Sequence, residues 1–255
     1  MSRGDVLDTH GAAHHPDSAY QPNARVYYYR SPPQELPIPL EETVLFQDEW
    51  IVVADKPHYL PVTPSGRYLQ ETLLIRLKRK LGIDTLSPAH RIDRDTAGLV
   101  LFTIQPHTRN AYQSLFRQKT VEKIYEAIAP FRAELTLPAT ISSRLIEGAS
   151  FMQMHTEEGK HNAETCIALL EVQHDQARYE LRPITGRKHQ LRAHMSELGI
   201  PILNDRIYPH LYPELGMGEA PDYDHPLQLL AKSITFTDPI TGQLRHFESL
   251  QCLSF

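Results

Sequence analysis

Gly98-Leu-Val-Leu-Phe-Thr-Ile104 is a seven-residue run without a charge, and it follows directly on His90-Arg-Ile-Asp-Arg-Asp-Thr-Ala-Gly98, where seven of nine residues are polar or glycine. The run reads as a buried strand. A polar segment at the mouth of a core strand is where a fold can carry a site. Other strand-like runs lie at Trp50–Ala54, halted by Lys56-Pro57, and at Lys123–Ala129. Cys166–Val172 and Ala177–Arg182 read as an antiparallel pair around His174-Asp175-Gln176, because Tyr179 and Leu181 alternate with Arg178, Glu180 and Arg182. Ile234–Thr237 and Leu244–Phe247 form a hairpin.

Helices are fewer. Glu71–Leu81 sets Leu73, Leu74, Leu77 and Leu81 at helical spacing, and Thr108–Gln118 turns Tyr112, Leu115 and Phe116 inward. A third helix is expected to open at Thr185 or Gly186, with Leu191, Met195 and Leu198 on one face and Gly199 at its end. Strands outnumber helices and do not alternate with them, which predicts an α+β fold with a mainly antiparallel sheet. Residues 1–24 are rich in His, Ala, Gly, Asp and Pro without apolar period and are expected to be a flexible tail. Residues 25–255 are expected to form the folded domain.

Net charge is −5, from 26 basic and 31 acidic residues, which at first speaks against a nucleic-acid partner. Phosphates, however, respond to charge within roughly 8–10 Å. Two segments are locally basic: Arg76–Arg94 has six Lys/Arg against two Asp, and Arg182–His194 has four Lys/Arg and no acid. One anion-facing side on an acidic chain fits this pattern. Cys166 and Cys252 stand in no metal spacing and imply no disulfide framework, so a reducing cytoplasm is expected. No run approaches the roughly 18 apolar residues of a membrane span, and no apolar signal core is seen.

Chemistry concentrates in three places. Arg91 and Arg94 flank Asp93, and nearby cations favour an ionised carboxylate, which serves as nucleophile or base. The same residues also suit a solvated loop with surface ion pairs. In Pro183–His194, Arg187, Lys188 and His189 are expected in the first turn of a helix. Cations there oppose the dipole, so their presence suggests use on a phosphate or carboxylate. A solvated basic face is the plainer alternative. Lys123 and Tyr125 share one side of a strand, where a tyrosine can stack on a base or cap the core. His189 and His194 are five apart, so zinc binding is not expected. No Walker loop or dinucleotide fingerprint is present.

Taken together, these segments resemble the RluA-type RNA pseudouridine synthases. His90-Arg-Ile-Asp-Arg-Asp-Thr-Ala-Gly-Leu99 is similar to the family's HRLDRxTSGL. Arg187-Lys-His-Gln-Leu-Arg-Ala-His194 followed by Gly199–Asp205 is similar to GRxHQIRxHxxxxGxPIxGD. Asp48–Pro64 and Lys123-Ile-Tyr125 resemble its lead-in and its K-x-Y, and the likeness runs from about Val44 to Phe247. The resemblance implies a mixed, mainly antiparallel sheet with flanking helices and a central active-site cleft. It implies Asp93 as catalytic carboxylate, Arg192 as its partner, and Tyr125 against the target uracil. Leu191 would wall the pocket, Arg91 would enter the RNA, and Arg187, Lys188 and Lys123 would meet RNA. No cofactor or metal is implied, and the partner is transfer or ribosomal RNA acted on by a monomer. Ala97 stands in place of the common Ser, Leu230 in place of a frequent His, and Asn204 in place of Gly, at a position where positive φ is still open to Asn. A binding-only RNA protein and a carboxylate hydrolase using Asp95 as second acid are the competing expectations.

Overall fold

The computed structural model describes residues 6–28, 35–148, 152–213, 216 and 219–255. The chain divides into two units, Met1–Glu35 and Leu36–Phe255, where the sequence suggests a division after Ala24. Within the first unit the described residues are not featureless: β1 (Val6–Leu7) pairs antiparallel with β2 (Tyr27–Tyr28), and the Asp8 carboxylate accepts from the backbone of His10 and Ala12.

The second unit is built on one sheet. Its strands are β3 (Thr43–Gln47), β4 (Ile51–Lys56), β5 (Ser87–Pro88), β6 (Ala97–Thr103), β7 (Glu122–Pro130), β8 (Ala139–Glu147) and β9 (Met154–Glu157). Then follow β10 (Ala163–Gln173), β11 (Gln176–Pro183), β12 (Leu229–Thr237) and β13 (Leu244–Glu248). The order is β3-β4-β6-β12-β7-β11-β10-β8-β9, with β13 also on β12 and β5 on β6. Among the described strands β12–β6 is the single parallel pairing, so the expected mainly antiparallel α+β fold is observed.

β4 and β6 are buried along their whole length because both of their faces are covered. Val52, Ala54, Val100 and Phe102 face α1 (Leu73–Leu81), while Ile51, Val53, Leu99 and Leu101 pack with Tyr112 of α2 (Arg109–Arg117). Leu73 and Leu77 are fully buried, each contributing about 1.5–3 kcal/mol. Helix α1 begins two residues later than its apolar spacing suggests, because Thr72 caps it, accepting from Ile75 N. On β11, Ala177, Tyr179 and Leu181 point into a second core under α3 (Gln190–Glu197), shared with Leu191 and Met195. The helix ends as expected: Gly199 has φ +74°, and Ile200 N donates to Met195 O.

The parallel junction depends on one glycine. Gly98 has φ +107°, and a Cβ there would stand 2.3 Å from Ala231 O of β12. Only a residue without a side chain lets β6 and β12 meet at Gly98–Ala231. This is also where the His90–Gly98 segment enters the sheet.

Candidate active site

The His90–Gly98 segment, the first half of β7 and the loop before α3 converge on a cleft of about 1030 Å³. Every candidate site residue lines it: Asp93, Arg192 and Tyr125, the wall residue Leu191, and Arg91, Lys123, Arg187 and Lys188. Sheet register explains the meeting. Tyr125 sits opposite Leu181 of β11 on one side and Ala231 of β12 on the other, and Ala231 faces Gly98 of β6.

Asp93 lies on the cleft wall with its side chain 29% exposed. Arg192 reaches its Oδ2 from within the core, Nη1 at 3.4 Å. That guanidinium is 1% exposed and is held mainly by another carboxylate. Its Nε and Nη2 donate to Asp205 Oδ2 and Oδ1 at 2.8 and 2.6 Å. Asp205 Oδ1 accepts further from Ile207 N and Tyr208 N. Burial works against the Arg192 cation, but Asp205, then Asp93, raise its pKa overall. Arg192 is thus a buried bridge between a structural carboxylate and the cleft carboxylate.

A second side chain faces the same oxygen. His189 Nε2 is 3.9 Å from Asp93 Oδ2, and burial lowers the imidazole pKa despite that neighbour. Tyr208 OH accepts from Met154 N and lies 3.4 Å from His189 Nδ1. Arg192 Nη1 and His189 Nε2 thus both approach Oδ2 of Asp93.

Tyr125 is partly buried, and its phenol pKa is raised by desolvation and then by Asp93. It is a neutral ring beside the carboxylate. Beneath the Asp93 loop, Lys56 is fully buried and donates to Pro57 O and Arg94 O, both at 2.9 Å. Desolvation brings its ammonium down to about 7, opposed by Asp95 and Asp93. Arg94 clamps Asp95 through Nε at 2.8 Å and Nη2 at 3.3 Å. Burial alone would raise Asp95, but Arg94 and more distant cations hold it below the usual carboxylate value.

The loop before α3 corrects one expectation. The helix opens at Gln190, not at Thr185 or Gly186, so Arg187, Lys188 and His189 precede it, with His189 in the left-handed region at φ 52°. Gln190 is the reason. Its Oε1 accepts from Thr185 Oγ1 and Arg187 N, and its Nε2 donates to Glu164 O and Thr165 Oγ1, pinning 185–187 as a loop on β10. These cations therefore stand just before the helix and not in its first turn. Asn204 does adopt positive φ, 62°, and donates to Pro226 O. Asp205 and Lys56 lie in segments that carry the resemblance without an assigned role, and Tyr208 joins the site through contacts that no local sequence signal marks.

Residues 50–197, more than half of the chain, match the family model described as RNA pseudouridylate synthase. The chain belongs to the RluA-type RNA pseudouridine synthases. It is an enzyme that isomerises uridine in RNA to pseudouridine. The synthase is 30% identical over 212 residues to a dual-specificity RNA pseudouridine synthase RluA of Haemophilus influenzae, covering 81% of this chain and 91% of that one. It is 32% identical over 189 residues to a mitochondrial tRNA pseudouridine(32) synthase of Saccharomyces cerevisiae, over 71% of this chain and 40% of the relative. The structure of human RNA pseudouridylate synthase domain containing 4 is similar with a TM-score of 0.62 and 27% identity, over 83% of this chain and 88% of that chain. Asp93, Tyr125 and Arg192 of the synthase fall inside the matched segment, and Asp205 and Tyr208 fall beyond it. Among the described residues no helix is long and apolar enough to cross a membrane.

Proposed function

We propose that Asp93 is the reacting carboxylate of this synthase, held by Arg192, with Tyr125 against the target uracil and Leu191 as the pocket wall. The observation that carries this is the pairing of a partly exposed Asp93 with a buried Arg192 that Asp205 keeps in place. Isomerisation breaks N1–C1′, turns the uracil, joins C5 to C1′ and releases the C5 proton. Attack by Asp93 at C1′, attack at C6, and proton abstraction toward a glycal all need an ionised carboxylate with one open oxygen. The rearrangement is redox-neutral and internal, so its chemistry calls for no nucleotide cofactor. The target base must leave its stack, at a few kcal/mol. Arg91, exposed at the cleft, would fill the gap, and Arg187, Lys188 and Lys123 would meet phosphates.

We extend this to transfer RNA as a substrate, in keeping with the name of the yeast relative, and to ribosomal RNA as a second one. The protein would act as a monomer in the cytoplasm, where Cys166 and Cys252 remain thiols. A hydrolase using Asp95 as its acid is disfavoured, because such an acid needs a raised pKa and Arg94 acts the other way.

The test is tritium release from unmodified transfer and ribosomal RNA labelled at uracil C5. Wild type should release tritium and Asp93→Asn should not, while binding RNA with similar affinity. Near-normal release by Asp93→Asn would end the proposed role of Asp93.

A further inference from the structure

The cleft carries more positive charge than one carboxylate calls for. Among the described residues lining it Asp93 is the single acid, against eight lysines and arginines, in a chain of net charge −5. Arg94 and Arg192 are engaged by Asp95 and Asp205. Three others come from one place, the turn from α2 into β7: Arg117, Lys119 and Lys123.

Lys123 is the informative member. Its Nζ donates to Thr185 O at 3.5 Å, a long bond, and among the described residues no acid pairs with it. Desolvation, then the neighbouring Lys119, bring its ammonium down to about 8. Lys123 in turn adds to the burial that brings His90 to about 3. Arg76 on α1, by contrast, is paired with Glu71 and Glu42. Arg117 and Lys119 suit the C-terminal end of α2, where the dipole favours cations. That explanation does not reach Lys123, which extends from a strand. Its Nζ is 3.9 Å from where a Cβ would stand on Gly186, so it spans from β7 to the loop that carries Arg187. Arg117 itself is set in place by Asn110 Oδ1 at 2.8 Å and by Ser114.

We propose that Arg117, Lys119 and Lys123 form a phosphodiester-binding subsite, extending the grip on the RNA strand from the loop before α3 to the α2–β7 turn. A phosphate there would relieve the Lys119–Lys123 repulsion and give the half-buried ammonium its missing counter-charge. The proposal rests on the reading that RNA enters this cleft beside Asp93.

Binding of an unmodified transfer-RNA transcript over a salt series tests it. The proteins are wild type, Arg117→Ala/Lys119→Ala, Lys123→Met, and Arg79→Ala/Lys80→Ala on α1, a basic pair outside the cleft. The subsite variants should bind more weakly and raise KM more than they lower kcat. Their log–log salt slope should flatten by about 0.7–0.9 for each phosphate that is no longer neutralised. The α1 pair should keep the wild-type slope. Wild-type slopes in the subsite variants, or an equal change in the α1 pair, would overturn the subsite. Asp93→Asn in the same series separates the two ideas. If it still turns over, the role of Asp93 fails while the slopes continue to decide the subsite.

Discussion

Replacing Asp205 by Asn should damage the fold more than replacing Asp93, although only Asp93 faces the cleft. At an effective dielectric near 20, separations of 2.6 and 3.4 Å correspond to attractions of roughly 6 and 5 kcal/mol before desolvation. The environments then separate them. The Asp205 side chain is 0% exposed and Asp93 is 29% exposed, so solvent screens the second pair far more. Removing one member of a buried pair strands the other charge and costs about 3–5 kcal/mol. For a screened pair about 0–1 kcal/mol is expected. Urea unfolding should therefore place Asp205→Asn about 3–5 kcal/mol below wild type and Asp93→Asn within about 1 kcal/mol of it. Single-turnover tritium release, read well below each unfolding midpoint, should show the reverse ranking. Asp93→Asn should be inert, whereas Asp205→Asn should retain turnover reduced roughly 10²-fold, because Arg192 loses its alignment. Equal stabilities for the two variants would mean that the Arg192 charge is neutralised some other way, and that Arg192 does not bridge the two carboxylates.

Two further outcomes are expected. Gly98→Ala combines φ +107° with a Cβ 2.3 Å from Ala231 O, so urea unfolding should show a loss of at least about 3 kcal/mol; a loss under about 1 kcal/mol would mean that β6 and β12 part easily. Lys56 is lowered from 10.5 to about 7, so between those values the unfolded chain holds a proton that the folded chain lacks, and stability should climb with rising pH by up to about 1.4 kcal/mol per pH unit. Lys56→Met should remove that part of the slope and leave the smaller rise from Lys123; identical slopes would contradict a buried, destabilised ammonium at position 56.

Much of the site is legible in the sequence because its parts are contiguous there. The His90–Gly98 segment announces itself by polarity ahead of an apolar strand, and Lys123 and Tyr125 by alternation. What stays hidden depends on neighbours distant along the chain. Arg76–Lys80 looks like half of an anion-facing side. Arg76 instead serves Glu42 and Glu71, and Lys80 serves Glu42. Arg117 and Lys119 escape notice when α2 is read for its apolar face alone. Asp205 closes the Gly199–Asp205 segment, but its role stays hidden until the buried Arg192 is seen beside it. The start of α3 is misplaced for a similar reason: Thr185-Gly186 is a good helix opening locally, and only the Gln190 bonds to β10 override it.

β12 lies between β6 and β7 in the sheet but is made long after both, since β7 ends at Pro130 and β12 begins at Leu229. During synthesis the piece bearing Asp93 and the piece bearing Tyr125 and Arg192 can each begin to order, yet no strand is available to join them until residue 237 has left the ribosome. Catalytic competence should therefore arise abruptly, once β12 has joined β6 to β7, and activity becomes a sensitive reporter of that closure.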